Sequence, residues 1–225
     1  MKKIFSIFLL FSISLLGFST ENYLIVTEHN RLCDRYLEQY PEALGESYDI
    51  KKIRGNLTNL FLDEGYGDYI SYMEASVDAL ESVDFDAVVL FDQLDISEPL
   101  KEAIKSLYSV QDIETFIKLA DHFSTWKWGT ESEIAALIFD QSKASVIYWR
   151  GIVGDDKLSW GWVGKVVGAD AIGVVSGAGI GMIVGAAVTA PTGPGALGGA
   201  IAGGQIGAIV GGVGGSVSAG IAFWH

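Results

Sequence analysis

The chain has 225 residues and a formal net charge of −13, and it is 49% hydrophobic yet 19% charged. That mixture excludes both a disordered polymer and a simple multi-span membrane protein. A single cysteine, Cys33, excludes an intramolecular disulfide framework and a cysteine-based zinc cluster, and the absence of a basic run argues against nucleic acid as a partner, because phosphate binding needs Lys and Arg.

Residues 1–19 read Met-Lys-Lys, then an apolar stretch from Ile4 to Phe18, then small residues. This is the layout of a secretory signal peptide, with cleavage expected after Ser19. The apolar stretch is shorter than the ~20 residues that a membrane-spanning helix needs. No cysteine follows it to carry a lipid, and the compact Lys-Lys start is of a bacterial kind. Cleavage would leave a net charge of −15, all of it on residues 20–157, because residues 158–225 hold only Lys165 and Asp170, which cancel.

Residues 20–150 form an acidic module that reads as helical. Thr27 is placed to cap a helix running to about Tyr40, with Leu32, Tyr36 and Leu37 on one stripe and Pro41 stopping it. Ile50–Leu62 has helical spacing and ends at Gly65 and Gly67, and Tyr69–Leu80 follows as another helix. Phe85–Phe91 reads equally as a strand or a buried helical turn. Ser97 with Pro99 opens a further helix, and Ser109 with Asp112 resembles a capping box for one ending near Phe123. Ser132–Trp149 has the clearest helical period, turning Ile134, Leu137, Ile138 and Phe139 toward a core.

This module offers little chemistry. His29 and Cys33 are four apart and share a helix face, a spacing that suits two metal ligands or a thiolate–imidazole pair, but two ligands make no site; a buried Cys beside a surface His is the plainer reading. Asp121 and His122 are adjacent and read as solvated surface. The pairs Asp63–Glu64 and Asp155–Asp156 flank turns without calcium-loop spacing. Asn56-Leu57-Thr58 matches a glycosylation acceptor. There is no nucleophile elbow, zinc-protease motif or phosphate-loop lysine, so no catalytic residue, metal site or cofactor is expected.

Residues 151–170 read as a linker rich in Trp and Gly, and 171–225 as a helical hairpin. From Ala171 to Trp224 there is no charged side chain, a run of 54 residues. Glycine recurs every fourth position, first at Gly173, Gly177, Gly181 and Gly185, then at Gly195, Gly199, Gly203, Gly207, Gly211 and Gly215. On a helix this period makes a continuous small-residue groove for close packing. The ten glycines between Ala196 and Gly220 cost about 10 kcal/mol relative to Ala, so such a helix forms only in a bilayer or a tight protein assembly. Ala171–Ala190 and Ala196–Ala222 are each long enough to cross a bilayer, and the Pro/Gly segment between them forms the turn. Trp160, Trp162 and Trp224 would then lie at one membrane interface. The row on the second helix winds through about 200°, more than one partner requires, which suggests that a second copy packs there. Gly193–Gly198 fits Gly-x-Gly-x-x-Gly in letters only, with no preceding strand and no acidic residue after it.

Residues 171–220 resemble glycine-zipper segments of bacterial envelope proteins and of pore-forming or bacteriocin-like peptides, on the two glycine rows quoted above. The resemblance covers about a quarter of the chain and implies close helix packing. The fold class expected is therefore mainly α, an acidic helical N-terminal module followed by a Gly-rich transmembrane-type hairpin. Three functions remain open: an exported envelope protein with a structural or interaction role held at a membrane by the hairpin; a secreted membrane-active effector; and an exported enzyme of unknown reaction. The expected partners are a lipid bilayer and further copies of the chain, with Trp126, Trp128 and Trp149 available to cover the hairpin before insertion.

Overall fold

The computed structural model describes residues 18–44, 49–81, 91–92, 94–154, 159–189 and 195–222. The protein is mainly α-helical, with no strand among the described residues. Eight helices are described: α1 (Phe18–Gln39), α2 (Ile50–Glu64), α3 (Ile70–Glu81), α4 (Glu98–Tyr108), α5 (Ile113–Thr125), α6 (Ser132–Val153), α7 (Trp160–Thr189) and α8 (Gly195–Ala222). Residues 1–17 of the expected signal peptide, Asp155–Asp156, the Pro/Gly segment 190–194 and Trp224 lie outside the described residues, as does the ambiguous segment apart from Phe91.

Local signals explain most helix ends. Asp49 caps α2 by accepting from the Lys51 N–H at 3.0 Å, and Gly65, at φ 86°, turns the chain out of it. Pro99 lies in the first turn of α4, behind Ser97. For α5 the cap is Asp112, whose carboxylate accepts from the Thr115 N–H at 2.8 Å. Ser109 instead donates to the Ser106 carbonyl and closes the end of α4. Thr27 lies inside α1 and not at its start: the helix begins upstream, and Ile25 and His29 extend the buried stripe of Leu32, Cys33 and Tyr36 by two turns.

α7 and α8 are antiparallel neighbours and form the centre of the protein. α8 packs against α1, α2, α3 and α6, and α7 against α3, α4 and α6, while α5 lies on α6. One core runs through both parts of the chain, from Leu32, Phe61 and Met73 through Phe139 and Trp149 to Val163, Val174, Val210 and Val217. The acidic helices therefore enclose the near half of the hairpin. Residues 160–170 belong to α7 and not to a linker, because Val163, Val166 and Val167 are buried in that core.

Candidate functional site

The two arms of the hairpin meet backbone to backbone. A Cβ placed on Gly173 would strike the Gly211 carbonyl, and one on Gly177 the Gly207 carbonyl; the reverse holds for Gly211 against Gly173. One step closer to the base, a Cβ on Gly215 would strike the Ala169 carbonyl. Each step of four along α7 thus meets a step of four back along α8, as antiparallel helices in fixed register require. Gly203 is buried on α8. Gly181 and Gly185 lie on α7, and Gly195 and Gly199 on α8, where Gly195 is the first helical residue.

A second set of glycines, outside the period-four rows, fits the hairpin into the acidic helices. The six-membered ring of Trp149 lies over Gly220, where a Cβ would come within 2.5 Å of Cζ2. Met73 on α3 sits over Gly214, and Tyr108 on α4 over Gly164, each leaving 2.9 Å to a would-be Cβ. Trp149 also donates its indole N–H to Ser216 Oγ at 2.9 Å and meets Trp162 edge to face. Trp162 is only 5% exposed and donates to the Gly220 carbonyl at 3.2 Å. In this structure it is a core residue, not an interfacial one, because its ring is held between Trp149 and α8. Trp160 is half-buried against the same core. Of the other tryptophans, Trp128 packs on Phe123 and Phe139, whereas Trp126 is exposed.

The faces of α1, α6, α7 and α8 meet at a buried polar knot. His29 and Asp170 are fully buried, with Nε2 and Oδ1 3.8 Å apart. Cys33 Sγ lies 3.9 Å from the same His29 Nε2. The other ring nitrogen, Nδ1, faces Asn30 Oδ1 at 3.0 Å, and the ring lies against the backbone of Gly212 on α8, which favours its charged form. Burial lowers the His29 pKa to about 4, against the pull of Asn30 and Gly212. Burial raises the Asp170 carboxyl well above its usual range, with the Ser145 and Ser216 hydroxyls acting the other way. Neither Asp170 oxygen meets a donor in normal hydrogen-bond geometry; the serine hydroxyls are neighbours that soften its burial without satisfying it. Burial likewise raises the Cys33 thiol, aided by Asp170 and Asp34.

This grouping has the residue types of a Cys–His–Asp triad but not its mechanics. A triad base uses one ring nitrogen for the nucleophile and the other for the carboxylate, whereas both contacts here fall on Nε2. The thiol is buried and held neutral, the reverse of an activated nucleophile. Among the described residues no group of three His, Cys, Asp or Glu is disposed to hold a metal. An apolar crevice between Tyr108, Phe116, Trp160 and Val163 is too tight for a water molecule.

Helical spacing pairs His29 with Cys33 and predicts a surface histidine; in the structure His29 is buried, because Ile25 and Leu32 on the same stripe turn it inward. Asp170, distant in sequence, joins them only in the fold, and its one signal in the sequence is its place as the last charge before the uncharged run. Among the other candidates, Asp121 pairs with Lys143 on the surface, Glu64 bridges Arg31 and Arg35, and Asn56 is half-buried inside α2, where it donates to the Tyr36 hydroxyl. No family model matches the chain, and no curated protein or solved structure is similar to it.

By length and composition Gly203–Ala222 is able to cross a membrane, and 83% of its most apolar window is buried inside the protein. The site is therefore a hairpin, uncharged from Ala171 to Ala222, whose near half is seated in protein.

Proposed function

We propose that this is an exported bacterial envelope protein with a structural or interaction role, which associates with a lipid bilayer through the α7–α8 hairpin. One observation carries this reading: two adjacent helices of 30 and 28 residues that have no charge between Ala171 and Ala222. The uncharged part of α7, Ala171–Thr189, is about 28 Å long and α8 about 42 Å, against the ~30 Å of a hydrocarbon core. Their near halves are occupied by α1, α3 and α6. Beyond Ala178, α7 continues as helix for eleven further residues to Thr189, about 16 Å, roughly half the thickness of a hydrocarbon core. Full spanning requires the base to leave the acidic helices. Packing of a second copy along the glycine rows belongs to that released state, since the base of α8 is covered by its own chain.

The burial of that base favours a second reading, a secreted membrane-active effector that carries its apolar hairpin inside a water-soluble coat. Flotation of the full chain with phosphatidylcholine vesicles, together with dye leakage from them, tests both. Stable flotation without leakage supports the envelope reading, and leakage supports the effector. The variant Val184→Asp puts a charge in the distal arm, which costs about 3 kcal/mol at a bilayer centre, so flotation should drop about a hundredfold. Equal flotation of the variant and the parent removes the hairpin from the mechanism.

A further inference from the structure

We propose that His29 and Asp170 form a one-proton latch, which holds the base of the hairpin against α1 and α6 while the pair keeps that proton and releases it when the proton is lost. The latch concerns docking alone; only its use in delivering the hairpin to a bilayer rests on the reading above.

The geometry singles out this pair. Asp170 is the one carboxyl of α7 and α8, and it lies wholly inside the protein beside His29 of α1. The groups acting on it are the Ser145 hydroxyl from α6 and the Ser216 hydroxyl from α8. His29 adds Asn30 and the backbone of Gly212, with the Gln141 side chain against the same glycine. α3, packed on both arms, presents Met73 to Gly214. Behind Cys33, the Tyr148 hydroxyl donates to the Asp34 carboxylate at 2.9 Å. Among the described residues the one cation against Asp170 is a protonated His29, so a carboxylate there is either matched by the imidazolium or left alone in the core, where an unmatched charge is severely destabilising. The docked pair therefore keeps one proton, whichever partner carries it.

Proton counting then fixes the pH dependence. When undocked, Asp170 and His29 titrate near their ordinary values of 3.8 and 6.5. Between those values the undocked pair also holds one proton, so docking is insensitive to pH. The two terms cancel: the lowered His29 pKa makes docking stronger as pH rises toward 6.5, and the raised Asp170 pKa makes it weaker. Above 6.5 the undocked histidine is already neutral and only the Asp170 term remains. Docking then weakens tenfold per pH unit until the docked carboxyl ionises. The Cys33 thiol, which burial raises further in the docked state, adds to the fall only as the pH approaches its ordinary value of 9.0, which sets the upper edge of the window.

The experiment is hydrogen exchange of the full chain between pH 5 and 8.5, corrected for intrinsic exchange, comparing amides of 208–221 on α8 with those of 53–61 on α2. The α8 protection is expected to be level to about pH 6.5 and to fall tenfold per unit above it. Asp170→Asn, which keeps a neutral side chain of the same shape, should hold α8 protection level above 6.5. His29→Gln removes the compensating term, so the fall should begin near pH 4 and already be under way at pH 5. A parent profile that stays level to 8.5, or one that is unchanged in both variants, overturns the latch. If Asp170→Asn does not fold, the displaced onset in His29→Gln still decides. Vesicle flotation at pH 6 and 8.5 is scored separately: no flotation at either pH, with the exchange profile as expected, sinks the membrane reading and leaves the latch standing.

Discussion

Helices α1–α6 and the pair α7–α8 are buried by opposite means. The first six carry large side chains on one stripe and charge on the other. In α1, for example, Leu32, Cys33 and Tyr36 face inward, while Arg31 and Arg35 reach across to Glu64. The last two carry almost nothing on the contact face, so that backbone meets backbone at Gly173–Gly211 and Gly177–Gly207. The first design gains stability from area removed from water; the second gains it from close approach, at a cost in helix propensity. Where the two designs meet, large residues of the acidic helices fill the places that glycine leaves open, as Trp149 does over Gly220 and Met73 over Gly214. A glycine-rich helix is thus as good a receptor for a tryptophan as for another helix.

The largest expected effect tests that seam. Trp149→Ala should destabilise the protein by about 4 kcal/mol, since the side chain is wholly buried and its loss also removes the indole donor to the Ser216 hydroxyl. For a chain of this size that lowers Tm by roughly 8–16 °C. Gly220→Ala should be harmful in the parent and close to neutral in the Trp149→Ala background, because the added methyl then has room. Strict additivity of the two in a double-mutant cycle would show that the ring and the glycine are not coupled.

Within the hairpin, Gly177→Ala should cost about 3 kcal/mol, because the new Cβ falls on the Gly207 carbonyl, a backbone atom that cannot rotate aside. Calorimetry of the full chain checks this. A loss of less than about 1 kcal/mol would mean that the two arms separate easily, and the backbone contact would then contribute little.

These contacts were legible in the sequence to unequal degrees. The stripe of α1, the Asp112 region of α5 and the long period of α6 follow from side-chain spacing, since amphipathic helices write their inward face into the chain. The start of α1 does not, because Thr27 is a good local cap that Ile25 and His29 override by packing. The glycine rows record that something approaches closely at every fourth residue. They do not record whether that neighbour is lipid, a second copy or the same chain, since all of these require the same missing side chain. Gly214 and Gly220 fall outside the period altogether, and their partners, Met73 and Trp149, are distant in sequence. The polar knot was half legible: helical spacing joins His29 to Cys33, but only the fold brings Asp170 beside them.

A smaller effect belongs to Ser216→Ala. It leaves the buried Trp149 N–H without an acceptor, for about 2 kcal/mol, and it removes a hydroxyl that favours the ionised form of Asp170. The pH at which the docked carboxyl ionises should therefore move upward and lengthen the range over which α8 protection falls. Urea unfolding at pH 6 measures the first effect and hydrogen exchange above pH 6.5 the second. A stability loss with an unchanged pH profile would place Ser216 in the tryptophan contact only.

The smallest effect has the opposite sign, and it separates the two designs most cleanly. Gly55 lies in the interior of α2, is exposed, and has nothing within 4 Å of a would-be Cβ. It serves no contact, so Gly55→Ala should stabilise the protein by about 1 kcal/mol through helix propensity and reduced freedom of the unfolded chain. The expected gain is about 2–4 °C in Tm. The same one-methyl substitution is thus favourable at Gly55, where glycine faces water, and strongly unfavourable at Gly177, where it faces a carbonyl. If Gly55→Ala is instead destabilising, the exposed face of α2 is covered in solution by something the isolated chain lacks. In that case the contrast drawn between the acidic helices and the hairpin would hold only for the residues that face the shared core.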